Sequence, residues 1–362
     1  MTDRRDPVVT NRRISIRFRR LVVGIFLLLS ALCCYGNNVR TKTDVVYFRN
    51  GDKITCEIKS LTQGQLTLKP DYTAQSFVVD WNKVARIESH QQFVITDPDG
   101  EYYIGSISGN ADDHTVTIVG VNKSTLPQNS VVDIEQLGTS FVKRLSGAIS
   151  IGLSLTQSNS QKTFTTQTNL KYQDQKRIFT ATTNSQFATQ EKVSDTNEIS
   201  AKTSLFHQIK ESNWYSGGLA NFLSSSEQQI DLESTLGGAA ARRLIYTNKT
   251  NLTGIAGLAY TNLQPSSGSS SSGKTNTLDS VLAVQFSTFR FDSTTFTSSL
   301  WLYPSLSSPG RVRLNFNQDL YYKFFGNFYI NVSFFDNYDN EPVVGAPPNN
   351  LGASSSIGWS FP

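Results

Sequence analysis

From about Ser146 to Phe361 the chain is a succession of short segments along which apolar and polar residues alternate. Alternation with period two puts one set of side chains on each face of a β-strand, so such a segment offers one apolar and one wet face. In the first segment Ile149, Ile151, Leu153 and Leu155 alternate with Ser150, Gly152 and Ser154. A later one sets Ile199, Ala201, Thr203 and Leu205 against Glu198, Ser200 and Lys202. Another sets Val312, Leu314, Phe316, Leu320, Tyr322 and Phe324 against Arg311, Arg313, Asn315, Asp319 and Lys323. The segment around Leu252 to Tyr260 alternates poorly. The series closes on Ser355-Ser356-Ile357-Gly358-Trp359-Ser360-Phe361.

About twelve such segments can be drawn, each near the length that a tilted strand needs to cross hydrocarbon. Their connections differ by side. Every second one is a short polar turn, near 173–176, 210–213, 247–250, 291–293 and 325–327. The other set includes the Ser- and Gly-rich stretch 266–273 and the long stretch 336–350. Short turns on one side and long loops on the other are expected of a transmembrane antiparallel β-barrel. A soluble β protein would not demand them.

Composition fits that reading. Hydrophobic residues make up 38% of the chain and the mean hydropathy is −0.29. No apolar run after the N-terminus is long enough for a membrane helix. A barrel needs none, because only alternate residues face lipid. The net charge is +4, but Arg4, Arg5, Arg12, Arg13, Arg17, Arg19 and Arg20 lie within the first twenty residues. Without them the chain is close to neutral or mildly acidic, so no nucleic-acid partner is expected.

Those arginines precede the apolar stretch Leu21–Leu29, and small residues and Cys33, Cys34 and Gly36 follow. This predicts a cleaved signal peptide over 1–36. An uncleaved anchor and lipoprotein processing at Cys33 or Cys34 are the alternatives. After processing Cys56 is left alone, so the fold has to stand without a disulfide.

Between signal and barrel the chain repeats itself. Each copy, 44–89 and 92–138, is a strand, an Asn50-Gly51 or Asp99-Gly100 turn, a second strand and a further strand. Each closes with apolar residues three apart: Trp81, Val84 and Ile87, then Val131, Ile134 and Leu137. The fold class read from this is all-β: two small SH3-like or Sm-like β modules forming a periplasmic domain over 44–138, then a barrel over 144–362. The modules serve either as a docking surface for a periplasmic protein or as a folded plug or spacer.

Asp44–Thr55, Phe77–Val84 and Tyr338-Asp339-Asn340-Glu341-Pro342 with the final strand resemble the YdiY-like family of salt-induced outer-membrane proteins, a family of unknown function. The resemblance covers most of the chain after the signal. It implies an outer-membrane barrel and no established activity, and the link to osmotic stress comes from the family name alone. Cys56 stands where that pattern has Gly, and Pro362 follows the terminal aromatic that usually guides barrel assembly.

Chemistry is sparse. The histidines are His90, His114 and His207, and no metal spacing joins them to carboxylates. Acyl hydrolysis needs a nucleophile beside an oriented base, and His207 shares the apolar face of Leu205 and Ile209. Asp231 and Glu233 share a face on parity alone, a spacing that any charged lumen lining gives. No catalytic, cofactor-binding or metal site is therefore expected. The expectation is a non-enzymatic outer-membrane barrel with an envelope structural or stress-related role. The other readings are a narrow diffusion channel for small solutes, a periplasmic docking protein and a lipid-acting barrel enzyme. Outer-membrane lipid and the barrel assembly machinery are the partners expected. Charges of both signs at Glu198, Lys202, Arg311, Arg313, Asp319 and Lys323 are read as a packed polar network or a narrow channel lining.

Overall fold

The computed structural model describes residues 43–361 except 74, 111–113, 138–143, 157–160, 175, 191–192, 267–274 and 291–293. The predicted signal peptide, most of the Ser/Gly-rich loop, the turn at 291–293 and Pro362 lie outside the described residues. Among those described, no helix is long and apolar enough to cross a membrane.

The N-terminal part is one nine-stranded sheet. It comprises β1 (Asp44–Phe48), β2 (Lys53–Thr62), β3 (Gln65–Lys69), β4 (Phe77–Asp80), β5 (Val84–Thr96), β6 (Tyr102–Asn110), β7 (Thr115–Val119), β8 (Lys123–Pro127) and β9 (Asp133–Gln136). Asn50-Gly51 and Asp99-Gly100 make the predicted turns, with Gly51 and Gly100 at positive φ. The apolar residues spaced by three come from a 3-10 turn before each closing strand, Trp81–Lys83 and Gln128–Ser130.

The repeat is visible in the pairing. The first copy closes by β1 on the first half of β5, with Val46 opposite Ile87. The second closes by the other half of β5 on β9, with Ile95 opposite Ile134. The two modules thus share β5 and one core, in which Val46, Ile58, Leu66, Trp81, Phe93, Ile107, Ile118 and Ile134 are all buried. Gln128 ties them together. Its amide donates to the carbonyls of Trp81 (3.0 Å) and Val84 (2.9 Å), and the Trp81 indole N–H donates to the Gln128 carbonyl (2.9 Å).

The rest is a closed antiparallel barrel of twelve strands. They are β10 (Leu145–Thr156), β11 (Gln161–Gln173), β12 (Arg177–Gln190), β13 (Val193–Gln208), β14 (Trp214–Ser225), β15 (Ile230–Tyr246), β16 (Thr250–Pro265), β17 (Thr275–Arg290), β18 (Thr294–Pro304), β19 (Val312–Phe325), β20 (Phe328–Asp339) and β21 (Asn349–Phe361). The seam closes with Ser150 opposite Gly358 and Gly147 opposite Phe361. Closure removes both sheet edges, so every strand is paired on both sides.

Outward positions carry the apolar set. Ile151, Leu153, Leu205, Leu236, Leu258, Leu282, Val332 and Ile357 are exposed on the outer wall. Aromatic side chains flank them, Trp214, Phe324, Phe325, Phe328 and Trp359 toward the end that bears the N-terminal domain, and Phe164, Phe187, Phe222 and Tyr338 toward the other. An apolar band between aromatic girdles on a closed antiparallel sheet is the outer-membrane barrel type.

β16 alternates poorly for a physical reason. Its inward residues Ile255, Ala259 and Leu263 are as apolar as its outward Leu258 and Tyr260, because they pack inside the barrel.

Candidate functional site: the barrel lumen

Apart from register shifts near strand ends, side-chain parity holds from strand to strand, so the inward set can be followed around the barrel. In the β13–β18 sector it is apolar and packed. Phe206, Tyr215, Ala241, Ile255 and Ala283 form one cluster with Trp301 against it, and Leu219, Ala259, Val281 and Tyr303 form a second. Those side chains fill one side of the lumen.

The rest of the lumen is polar, including inward Lys202 of β13 and Asn221 of β14. A cavity of about 110 Å³ is lined by Gln167, Asn184, Lys202, Asn221, Asn317 and Asp319 among others. Asp319 accepts from Ser333 Oγ at 2.5 Å, and Glu198 accepts from Asn350 Nδ2 at 2.7 Å.

Toward the end away from the N-terminal domain the lumen is crossed by an ion cluster. The Arg313 guanidinium donates to Glu233 Oε1 (2.6 Å), Asp279 Oδ2 (2.6 Å) and Thr261 Oγ1 (2.8 Å). Asp279 also accepts from Thr277 Oγ1 at 3.0 Å. The guanidinium lies 5.4 Å from the centre of the Tyr303 ring. Beside it Arg311 holds Asp339 through two nitrogens, at 3.2 and 2.6 Å. Buried charges are stabilised by pairing and hydrogen bonding, which this cluster supplies from β15, β16, β17 and β19, although Asp279 Oδ1 is left without a hydrogen-bond partner.

The other end is stoppered by the N-terminal domain. Side-chain amides on the barrel turns donate to its backbone: Gln208 to Gly100 O (2.9 Å), Asn213 to Pro98 O (2.7 Å) and Asn248 to Val131 O (2.8 Å). Two glycines make the approach possible. A Cβ on Gly100 would sit 2.8 Å from the Ser212 carbonyl carbon, and one on Gly64 would sit 2.9 Å from the Asn248 oxygen, and both residues have positive φ. Beneath these contacts Asp133 of β9 and Lys171, Arg243 and Tyr246 of the barrel wall line a chamber of about 260 Å³. Burial pushes the Asp133 and Glu135 carboxyls up, each opposed by the nearby Lys171 cation; Asp133 raises Glu135 further.

The family model described as "Protein of unknown function, DUF481" matches residues 149–361, the barrel wall and more than half of the chain. The chain belongs to that family. This agrees with the sequence resemblance to a family of unknown function. No curated protein matches the DUF481 chain. Among solved structures it is similar to the translocator domain of autotransporter NalP from Neisseria meningitidis, at 15% identity and a TM-score of 0.35, over 60% of this chain and 87% of that one. It is also similar to the β domain of the Bordetella autotransporter BrkA, at 8% identity and a TM-score of 0.31, over 60% and 97% of the two chains. A porin refined at 1.8 Å matches at 9% identity and a TM-score of 0.29, over 60% and 99%.

The residues weighed for catalysis do not come together. His207 is exposed on the outer wall, opposite Ser216 and Arg177 of its neighbouring strands. Asp231 and Glu233 do not share a face. The pairing shifts between Ile230 and Leu232, so Asp231 is exposed while Glu233 is buried against Arg313. Among the described residues no group of three His, Cys, Asp or Glu could hold a metal ion. Of the charges read as lumen lining, Glu198, Lys202, Arg313 and Asp319 are inside, Arg311 sits at the rim on Asp339, and Lys323 keeps inward parity opposite the buried Tyr329 but is exposed to solvent. Sequence reasoning did not join Asp279, Thr261 and Thr277 to Arg313. The signal was there in the register: Thr261 opposes Thr277 and Tyr303 opposes Arg313, all at inward parity.

Proposed function

We propose that this chain is a non-enzymatic outer-membrane barrel, closed at rest, with its N-terminal domain on the periplasmic side, serving an envelope structural or stress-related role. The carrying observation is that the Arg313 cluster lies in the lumen toward one end and the seated β domain contacts the barrel turns at the other. The apolar band suits outer-membrane lipid, and the barrel assembly machinery is the partner its insertion requires. Short turns on the domain-bearing side suit a periplasmic orientation. The outward His207 and the separated Asp231 and Glu233 support the absence of catalysis. The open sheet edges at β4 and β8 leave room for a periplasmic protein as well.

The test is planar-bilayer recording on the refolded full chain. Silence over long recordings is expected. Steady, discrete conductance steps from the intact chain would sink the closed reading.

One observation favours a narrow channel as the second reading. The polar cavity beside Lys202 and the chamber beside Lys171 are both lined by residues of the same barrel wall. That reading expects conductance once the domain is loosened, in the full chain carrying Gln208→Ala, Asn213→Ala and Asn248→Ala.

A further inference from the structure

The chamber between β9 and the barrel wall gathers charges of both signs, Lys171 and Arg243 within electrostatic reach of Asp133 and Glu135. Arg243 is only 9% exposed. Its guanidinium stacks 4.1 Å from the Tyr246 ring centre and 4.9 Å from that of Tyr215. Tyr246 also engages one of its donors, and the guanidinium has others to offer a ligand. Arg313, the other buried inward arginine, is neutralised by two carboxylates at 2.6 Å. No ion pair involving Arg243 or Lys171 occurs among the described residues. Both line the same chamber, Lys171 from β11 and Arg243 from β15, together with Asn251 and Thr297. Its volume of about 260 Å³ is several times the ~30 Å³ that one water occupies in the liquid, ample for a tetrahedral oxyanion.

We propose that this chamber is a binding site for a small oxyanion, a sulfate, phosphate or carboxylate group, held between Arg243 and Lys171 beneath the N-terminal domain. The proposal does not depend on whether the barrel conducts. Arg243 supplies two parallel N–H donors to such a group, Lys171 a point charge, and Asn251 and Thr297 neutral donors. Asp133 and Glu135 compensate the two buried cations only at a distance, with no direct ion pair to either, and an oxyanion in the chamber would contact both. Asp133 is the internal competitor, since it lines the same space. The charged groups around the chamber are Asp133 and Glu135 on β9, Lys171 on β11, Arg243 on β15, Arg144 ahead of β10 and Asp174 in the turn after β11. Of these the carboxylates repel the ligand when ionised. Binding therefore weakens as pH rises through their titration.

The test is titration calorimetry on the refolded full chain in detergent, with sodium sulfate at constant ionic strength made up with chloride. Sulfate keeps its charge across the range, which isolates the protein's titration. Saturable binding at one site per chain is expected. Arg243→Gln and Lys171→Gln are each expected to weaken it roughly tenfold or more. Asp133→Asn should tighten it and flatten its pH dependence. Parallel titrations with phosphate and acetate distinguish tetrahedral from planar oxyanions, either of which fits. Folding of each variant is checked by heat-modifiability on gels. Where Arg243→Gln does not fold, Lys171→Gln and Asp133→Asn carry the result. No saturable sulfate, phosphate or acetate binding overturns the proposal. So does binding that survives unchanged in Lys171→Gln, or that Lys323→Gln, on an exposed residue outside the chamber, weakens equally.

Discussion

Arg313 Nη2 and Asp279 Oδ2 lie 2.6 Å apart inside the barrel, with the Asp279 side chain 1% exposed. Arg313 is on β19 and Asp279 on β17, so the pair spans the intervening β18 and packs against its Tyr303. An ion pair so placed fixes how these strands face each other inside the barrel. It also fills the space that a solute would need.

Removing only the cation should be costly. Arg313→Met leaves Asp279 and Glu233 buried without a counter-charge, and the expected loss is about 3–5 kcal/mol. Replacing the cluster as a whole, Arg313→Met with Glu233→Leu and Asp279→Leu, should recover most of that loss. The measurement is the urea midpoint at which the folded, heat-modifiable band disappears. A single variant as stable as the parent would show that the cluster is not buried as described.

Much of this architecture was legible in the sequence, because it rests on period two. Strands such as β13 and β19 have polar inward and apolar outward residues, so a list of residues gives their faces. β16 was not legible, because Ile255, Ala259 and Leu263 face a lumen packed with Phe206, Tyr215 and Trp301. Period two fails wherever both faces are apolar. The Asp231–Glu233 pairing failed for another reason: one shift in register after Ile230 moves Asp231 to the outside. The small modules were legible from their glycine turns, but their sharing of β5 was not. That depends on which half of one strand each copy pairs with, and parity carries no such information.

Seating of the N-terminal domain depends on three amides. Gln208→Ala, Asn213→Ala and Asn248→Ala each remove a donor to a domain carbonyl, and each should weaken docking by about 1 kcal/mol. Gly100→Ala should act more strongly, because the added methyl meets backbone at 2.8 Å and the residue is at positive φ. Limited proteolysis of the 138–143 segment in the folded protein reports undocking. Cleavage should speed up in the triple variant while the barrel stays heat-modifiable. Equal cleavage rates in parent and variant would mean that these contacts do not hold the domain.

Cys56 should be chemically silent. It is wholly buried in the shared core, and burial, helped by Asp44 and Glu57, pushes its thiol up to about 12. A thiol with so little thiolate at pH 8 reacts slowly even where reagent reaches it. With Cys33 and Cys34 replaced by Ser, Cys56 is the only thiol in the chain. The folded protein should then resist aromatic disulfide reagents and react fully in denaturant. Rapid labelling of the native protein would place Cys56 outside the core.

The stopper should hold better in mild acid than in mild base. Asp133 and Glu135 face the barrel from β9, and burial raises both carboxyls, Glu135 to about 8. A carboxyl whose value is raised on docking binds its proton more tightly docked than free. Docking therefore gains from low pH, and the gain is lost as pH climbs from the ordinary carboxylate range through the raised values. Lys171 opposes this on both acids, with Arg243 on Asp133 and Arg144 on Glu135, but desolvation is the larger effect on both groups. The expected outcome is faster proteolysis of the 138–143 segment at pH 8.5 than at pH 5.5, after correction for the protease's own pH profile. Replacing both acids, Asp133→Asn with Glu135→Gln, should abolish the difference. Persistence of the same pH dependence in that double variant would assign the titration to other groups.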